Sequence, residues 1–200
     1  TSKPTALFSN TQIENPNLML EGMPNYRSGV DGLRVSNSTK GGITFAASTT
    51  QNGIHMITVV LGVEAVDGDP YARFVATSSL MNYVVRTFVS SIVVKEGDPY
   101  GKSKATVMDG KSETVLAVAK KDFYIVEKQG SQAEPKIQFK SDQESFRAPV
   151  KSGTNLGKLH YTDPDKIGRG YLEDQEPTVD MVSGRTIEKS FFLKVWWNEF

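Results

Sequence analysis

The feature that most constrains the fold is the Asn52-Gly53 pair, which lies between two runs typical of β-strands. The flanking runs, GITFAASTT before the pair and IHMITVVLG after it, are rich in Thr, Val, Ile and Phe. Both turn residues tolerate positive φ, so Asn-Gly between such runs is the strongest short-range signal for a β-hairpin. Residues 42–63 are therefore predicted to form a hairpin. Its second strand, from Met56 to Val63, is almost entirely apolar, which predicts that it is covered on both faces.

The segment after the hairpin has helical periodicity. Asp69 is the predicted N-cap and Pro70 the predicted first helical residue, since these residue types are favoured there. Apolar side chains then recur at helical spacing, which predicts one long helix packed on the sheet. This stripe is interpreted as core and not as a cofactor site; it consists of Phe74, Val75, Met81, Val84, Val85 and Phe88.

From Val89 onward, short β-like runs are broken by Gly, Pro, Asp and Asn, which is typical of a small all-β domain. The predicted fold class is α+β: part of an antiparallel sheet with a packed helix, followed by a small β-sandwich domain and a C-terminal amphipathic helix. The corresponding regions are residues 1–89, 90–182 and 183–200.

The final residues are unusually aromatic. On a helical wheel the apolar side chains of this segment occupy a broad arc, with Lys194 and Asn198 opposite. Trp and Phe on an amphipathic helix favour a membrane interface. The predicted interfacial residues are Phe191, Phe192, Val195, Trp196, Trp197 and Phe200. The alternatives are a terminal helix docked on its own domain, and a helix that is cut just before its neighbour.

Composition excludes several classes of function. Lys+Arg and Asp+Glu number 23 each, so no global field favours nucleic acid. The absence of cysteine excludes disulfides, Cys-ligated zinc and thiol catalysis. His55 and His160 lack paired metal-binding spacing, and we expect no metal and no organic cofactor. No apolar run approaches the roughly 20 residues that span a bilayer. The start at Thr1, without Met or a signal peptide, suggests a fragment or a processed chain.

Four segments carry a resemblance to a known family: LFSNTQIENPN, YRSGVDGLRVSNSTKGGITFAASTTQNGIHMITVVLG, DPYARFVATSSLMNYVVRTF and the terminal KSFFLKVWWNEF. They resemble the latter half of a low-molecular-mass penicillin-binding protein of the streptococcal type. These proteins are serine D-alanyl-D-alanine carboxypeptidases of bacterial cell walls. The resemblance implies a remnant of the penicillin-recognition domain and an extracytoplasmic location, peripheral to the cell membrane. It also implies hydrolysis of the terminal D-Ala of peptidoglycan stem peptides by serine acylation.

In that family the strand after VDGL carries Lys-Thr-Gly and forms one wall of the active site. The Lys and Thr bind the terminal carboxylate of the substrate, and the Gly lets the peptide lie against the strand. The aligned residues here are Arg34, Val35 and Ser36. Arg34 keeps the charge with a different geometry. Val35 cannot donate a hydrogen bond, which typically costs about 1.5–3 kcal/mol at a charged group, and Ser36 adds a side chain. The triplet is therefore interpreted as a degenerate substrate-binding motif.

The family also needs a Ser-x-x-Lys, which supplies the acylated serine and its activating lysine, and a Ser-x-Asn. Neither motif occurs in the 200 residues, so no catalytic residue is assigned, and the chain as given cannot form an acyl-enzyme by the family mechanism. The triplet Lys151-Ser152-Gly153 matches a permitted form of the third motif. It lies far from the VDGL context and is predicted to be a loop.

Three functions remain open. The chain is part of a carboxypeptidase without its N-terminal half, a non-catalytic descendant that binds wall material or positions a partner, or a soluble β-rich module without a site. The expected partners are a peptidoglycan stem peptide or a wall-associated protein, and the membrane interface through the terminal helix, with no nucleic acid. Half of a mixed sheet exposes apolar faces and an unpaired edge. We therefore expect a homo-oligomer or a separate N-terminal half to complete it.

Overall fold

Strands make up most of the regular structure in the computed structural model, which describes residues 3–9, 11–64, 68–171 and 175–191. The chain divides into two units, Thr1–Ser90 (unit 1) and Ser91–Phe200 (unit 2), each with its own hydrophobic core. The described elements of unit 1 are β1 (Thr5–Phe8), β2 (Thr11–Glu14), β3 (Val30–Ser38), β4 (Gly42–Gln51), β5 (Ile54–Val63) and α1 (Ala72–Thr87).

The predicted hairpin is confirmed as β4 and β5, which pair antiparallel from Gln51↔Ile54 onward. Asn52 and Gly53 both adopt positive φ, 52° and 75°, as a tight two-residue hairpin turn requires. β3 pairs antiparallel with the other side of β4, so the sheet order is β3-β4-β5. A separate hairpin, β1-β2, precedes this sheet.

The prediction that β5 is covered on both faces is wrong for the described residues. Its side chains alternate between buried and exposed positions, from Ile54 to Leu61. The outward face is apolar but open: Ile57, Val59 and Leu61 are 63%, 54% and 74% exposed. An almost continuous apolar run predicts two covered faces, but α1 packs against one of them. The described residues of unit 1 supply no cover for the other.

α1 packs its buried face on the sheet. Phe74 of the helix and Phe45 of β4 meet edge to face, with ring centroids 5.1 Å apart. The helix begins at Ala72, two residues later than predicted. The Asp69 carboxylate instead accepts a hydrogen bond from the Tyr71 amide at 2.9 Å, just before the first turn. Val75, predicted as core, is exposed, because the buried face runs through Arg73, Phe74, Thr77 and Met81.

Every described regular element of unit 2 is a strand, as the sequence predicts for residues 90–182. β6 (Phe88–Val94) leads into the unit and pairs with β9 in a two-stranded sheet. A six-stranded sheet has the order β10-β12-β13-β8-β7-β11, in which β11 pairs parallel with β7. The strands are β7 (Pro99–Met108), β8 (Thr114–Ala119), β9 (Phe123–Lys128), β10 (Lys136–Ser141), β11 (Phe146–Arg147), β12 (Asn155–Thr162) and β13 (Thr178–Ser183).

The core of unit 2 follows from alternation in its strands. In β8, Val115, Ala117 and Ala119 are buried while Leu116 lies on the opposite face. β13 shows the same period of two. A period of two places one set of side chains in the core and leaves the other set on the outer face of the sheet.

The predicted helix over residues 183–200 does not begin at 183. Ser183 ends β13, Ile187 forms a β-bridge with Val150, and Lys189 forms one with Gly110. Ile187 is buried in the core of unit 2, so backbone pairing and burial hold residues 187–189 against the rest of the unit. Residues 192–200 of the predicted helix lie outside the described residues.

Candidate functional site

The predicted site residues lie on β3, an edge strand of the unit 1 sheet that has no partner on its outer side among the described residues. Arg34, Val35 and Ser36 are consecutive in this strand and pair with β4 without a break in register. Side chains alternate along a strand. Arg34 and Ser36 therefore share one face of the sheet and Val35 occupies the other, so the three side chains cannot contact a ligand from the same face.

The environments of the first two residues differ accordingly. Val35 pairs with Phe45 and is partly buried against the core of unit 1. Arg34 pairs with Ala46 and is exposed. Of the two, Arg34 is the residue free to meet a solute.

Arg34 and Val35 also line a groove of about 320 Å³ between β3 and the β1-β2 hairpin. Two cations, Lys3 and Arg34, and one carboxylate, Glu14, face this groove. The balance of charge favours an anion over a cation. The remaining lining residues are Ala6, Ile13, Asn15, Pro16 and Leu33.

The cations of the groove can bind a carboxylate. Among the lining residues in the described part of unit 1, none carries a nucleophilic hydroxyl or thiol. Arginine presents planar N–H donors that match a carboxylate bidentately. Within the described ranges, no group of three or more His, Cys, Asp or Glu side chains could hold a metal ion.

Ser36 is fixed by a residue that the sequence did not single out. Arg73 of α1 is 6% exposed, and one of its terminal nitrogens donates to the carbonyl oxygens of Ser36 and Thr44, at 3.1 Å each. Its other terminal nitrogen donates to the side-chain oxygen of Asn37. Burial lowers the pKa of Arg73 below its usual value. This guanidinium therefore joins the helix to the end of the β3-β4 hairpin, next to the predicted site.

A signal for Arg73 was present in the sequence. It precedes Phe74 and lies two turns before Met81, next to the apolar stripe of the helix. A charged residue on an apolar helix face must find partners when it is buried. That pattern predicts a buried guanidinium with backbone or side-chain acceptors.

The triplet Lys151-Ser152-Gly153 lies in the predicted loop, between β11 and β12 of unit 2. The Ser152 amide donates to the Thr186 hydroxyl at 3.0 Å, and the Gly153 amide donates to the Ser183 carbonyl at 2.8 Å. These bonds fold the loop against the end of β13.

Of the six predicted interfacial residues, Phe191 is described and is 70% exposed. Five others, Phe192, Val195, Trp196, Trp197 and Phe200, lie outside the described residues. No helix in the described ranges is long and apolar enough to cross a bilayer.

Residues 88–189 match the family model described as penicillin-binding protein 5, C-terminal domain. The curated D-alanyl-D-alanine carboxypeptidase DacA of Haemophilus influenzae is 27% identical over 133 residues, which are 66% of this chain and 32% of that protein.

Two solved structures resemble the whole described fold. One, a peptidoglycan synthesis regulatory factor (PBP3) from Streptococcus pneumoniae, is 44% identical with a TM-score of 0.88, covering 94% of this chain and 51% of that one. The other, penicillin binding protein 5 from Haemophilus influenzae, is 22% identical with a TM-score of 0.60 and shares the fold, covering 94% and 50%. The chain thus spans about half the length of these structures and a third of the curated relative.

Proposed function

Because the chain belongs to the family that carries the penicillin-binding protein 5 C-terminal domain, we propose that it is a D-alanyl-D-alanine carboxypeptidase-like component of peptidoglycan metabolism. By itself it is catalytically incomplete. Its 200 residues contain neither Ser-x-x-Lys nor Ser-x-Asn, so they supply no acylated serine and no activating lysine. Its role is to present one wall of a substrate cleft.

The observation that carries this proposal is the position of Arg34 on the unpaired edge of β3, beside a groove that Lys3 also lines. A stem peptide ends in a carboxylate, and Arg34 binds that group as the lysine of Lys-Thr-Gly would. Val35 adds no donor and packs towards the core. Without a hydroxyl at this position, the carboxylate loses one hydrogen bond. Binding is then weaker than in a Lys-Thr-Gly strand.

The 44% identity to the streptococcal factor, over nearly the whole chain, supports a place in peptidoglycan metabolism. We infer an extracytoplasmic location, where stem peptides are found. The aromatic residues from Phe191 to Phe200 then hold the protein at the periphery of the membrane.

A second candidate is a non-catalytic protein that binds the wall or positions a partner. The Arg34-Val35-Ser36 triplet favours it, because a chain that retains the family reaction has no physical reason to give up the hydroxyl and the bare glycine of the motif. Its partner would be a stem peptide or a wall-associated protein. An N-terminal half, or a second copy, would cover the open face of β5.

The test combines a reactive and a non-reactive ligand. We expect labelled penicillin to leave the 200-residue chain unmodified, whereas an N-acylated peptide ending in D-Ala-D-Ala binds reversibly. Arg34→Met should weaken that binding about tenfold, since a charge-assisted pair contributes about 1.5 kcal/mol. Arg86→Met, which removes an exposed arginine of α1, is the matched control.

Covalent labelling of the chain would overturn the claim that it lacks a nucleophile. Equal peptide binding by the Arg34 and Arg86 variants would remove Arg34 from the site. Retention of the chain on purified wall material without binding of the peptide would favour the second candidate.

A further inference from the structure

Unit 2 contains a concave surface that is separate from the Arg34-Val35-Ser36 motif and from the groove of unit 1. It is a depression of about 750 Å³ on the face of the six-stranded sheet opposite its core. This volume lies in the range of ligand clefts, about 300–1,000 Å³. Its lining includes Ser152 and Gly153 of the loop that resembles the third motif.

The floor of the depression is an apolar strip along β8. Leu116 and Val118 both face outward here, two residues apart. In a strand this spacing separates side chains by about 6.7 Å. Val182 of β13 pairs with Val118 and widens the strip on one side.

Cations flank this strip on both sides, one in β7 and one just after the end of β13. Lys104 of β7 pairs directly with Leu116. On the other side of β8, the Gly184 amide donates to the Leu116 carbonyl at 3.1 Å, which places Arg185 beside the same residue. The floor at Leu116 therefore lies between two basic positions.

The shape is set by the backbone. Between Pro99 and Lys104, β7 has more residues than the stretch of β8 that it pairs with, so it bulges beside the strip. Gly184 brings the chain close to the floor, since a Cβ there would lie 3.0 Å from a Val118 methyl group. The Gly97 amide donates to the Ala119 carbonyl at 2.9 Å at one end. These contacts form the depression before any ligand arrives.

Its charge is positive. Lys104, Lys120 and Arg185 line it, against one carboxylate, Glu96. Lys120 lies 3.7 Å from the Asp180 carboxylate. Neither Lys104 nor Arg185 forms an ion pair with a described residue. Since the chain as a whole is neutral, this excess is a local property of the depression.

We propose that this depression binds an extended acidic peptide of about five residues. Alternate side chains of an extended peptide repeat about every 6.7 Å, which matches the spacing of Leu116 and Val118. Small apolar side chains would contact the floor, and the long side chains of Lys104 and Arg185 would extend from the rim to the carboxylates that alternate with them. This site is independent of Arg34 and of the function proposed above.

The probe is a labelled pentapeptide, Asp-Val-Glu-Val-Asp, and the readout is fluorescence anisotropy with the 200-residue chain. We expect saturable binding that weakens with added salt, with the counterpart Lys-Val-Lys-Val-Lys bound at least about tenfold more weakly. The double variant K104E/R185E should lose about tenfold or more in affinity. R34M should bind the acidic peptide as the parent chain does.

The matched control is K136E/K140E, which makes the same change in net charge at exposed positions of β10. It should bind within about twofold of the parent. Thermal unfolding of both variants checks that the fold is retained. The proposal would be overturned if the two double variants lost equal affinity for the acidic peptide, or if the acidic and basic peptides bound equally well.

A competition distinguishes the sources of such a peptide. We expect a soluble muropeptide to leave the probe bound, and displacement of the probe would overturn the independence of this site from stem-peptide binding. Retention of the probe under the same conditions would support an acidic protein segment. Binding of phosphatidylglycerol vesicles through Lys104 and Arg185, without binding of the pentapeptide, would overturn the assignment to a peptide.

Discussion

At the residue scale, Arg73 has the most consequential contacts in unit 1. Its guanidinium holds the carbonyls at the end of β3 and at the start of β4, while its neighbour Phe74 packs on Phe45. The guanidinium also lies over the Phe74 ring, 6.0 Å from the centroid. The edge strand that carries Arg34 is therefore positioned from the helix, through hydrogen bonds and aromatic packing together.

We predict that Arg73→Met destabilises unit 1 by about 1–3 kcal/mol, because it removes the guanidinium hydrogen bonds to the part-buried Ser36 and Thr44 carbonyls. Arg86→Met, on the same helix, should cost less than about 0.5 kcal/mol, since Arg86 is exposed and donates to a carbonyl of its own helix. Denaturant unfolding measures both. Faster amide exchange at the Ser36–Thr44 hairpin end should accompany the first change and not the second. Equal costs for the two variants would contradict the role given to Arg73.

Sequence reasoning placed Arg34, Val35 and Ser36 on a strand but missed how they are held. A resemblance aligns a motif residue by residue, and alternation then assigns each side chain to a face. Neither the resemblance nor the alternation shows which residue, distant in sequence, supports the strand. Arg73 and Ser36 are 37 positions apart, and their contact exists only after the helix has packed on the sheet.

At the scale of elements, β5 combines a buried face and an open apolar face. Val60 is 7% exposed and packs in the core, while its neighbour Val59 is 54% exposed. Large open apolar patches mark surfaces that associate with other molecules. The open face of β5 is where an additional layer would be accommodated.

These neighbours allow a matched test. We predict that Val59→Thr changes the free energy of unfolding by less than about 0.5 kcal/mol, whereas Val60→Thr costs about 1–3 kcal/mol because it buries a hydroxyl. Chemical denaturation of the 200-residue chain measures both. If Val59→Thr lowers the free energy of unfolding as much as Val60→Thr does, both faces of β5 are covered in solution.

The same strand explains a limit of prediction at this scale. The Asn52-Gly53 turn specifies the hairpin locally, since both residues supply the positive φ that the turn needs. The apolar run of β5 indicates two burial faces, but the number of layers depends on other parts of the fold. Similarly, helical periodicity predicts the position of α1. Its first residue depends instead on the hydrogen bond that the Asp69 carboxylate accepts from the Tyr71 amide.

At the scale of the whole molecule, the two units have separate hydrophobic cores and different types of secondary structure. A change in composition near Val89 already indicates this division. The end of unit 2 is harder to predict. The sequence from 183 onward has an aromatic, helix-like pattern. Ile187 nevertheless pairs with Val150 and joins the core, because long-range strand pairing overrides local periodicity.

Two deletions separate packing from membrane binding in this terminal segment. We predict that deletion of 192–200 abolishes binding to anionic liposomes and leaves unfolding unchanged. Deletion of 184–200 should also destabilise unit 2 by about 2–4 kcal/mol, because it removes buried Ile187 and its backbone pairing. Co-sedimentation and thermal unfolding measure the two effects. Unchanged liposome binding after the shorter deletion would assign the aromatic residues to packing.

The strand order of unit 2 has a consequence for biosynthesis. Met181 of β13 pairs with Ala119 of β8, so the middle of the six-stranded sheet joins positions about 60 residues apart. A nascent chain can close the β4-β5 hairpin as soon as Val63 has emerged, but β8 must wait for β13. During that interval one side of β8 has no neighbour, and a growing chain is then most open to aggregation and to capture by chaperones.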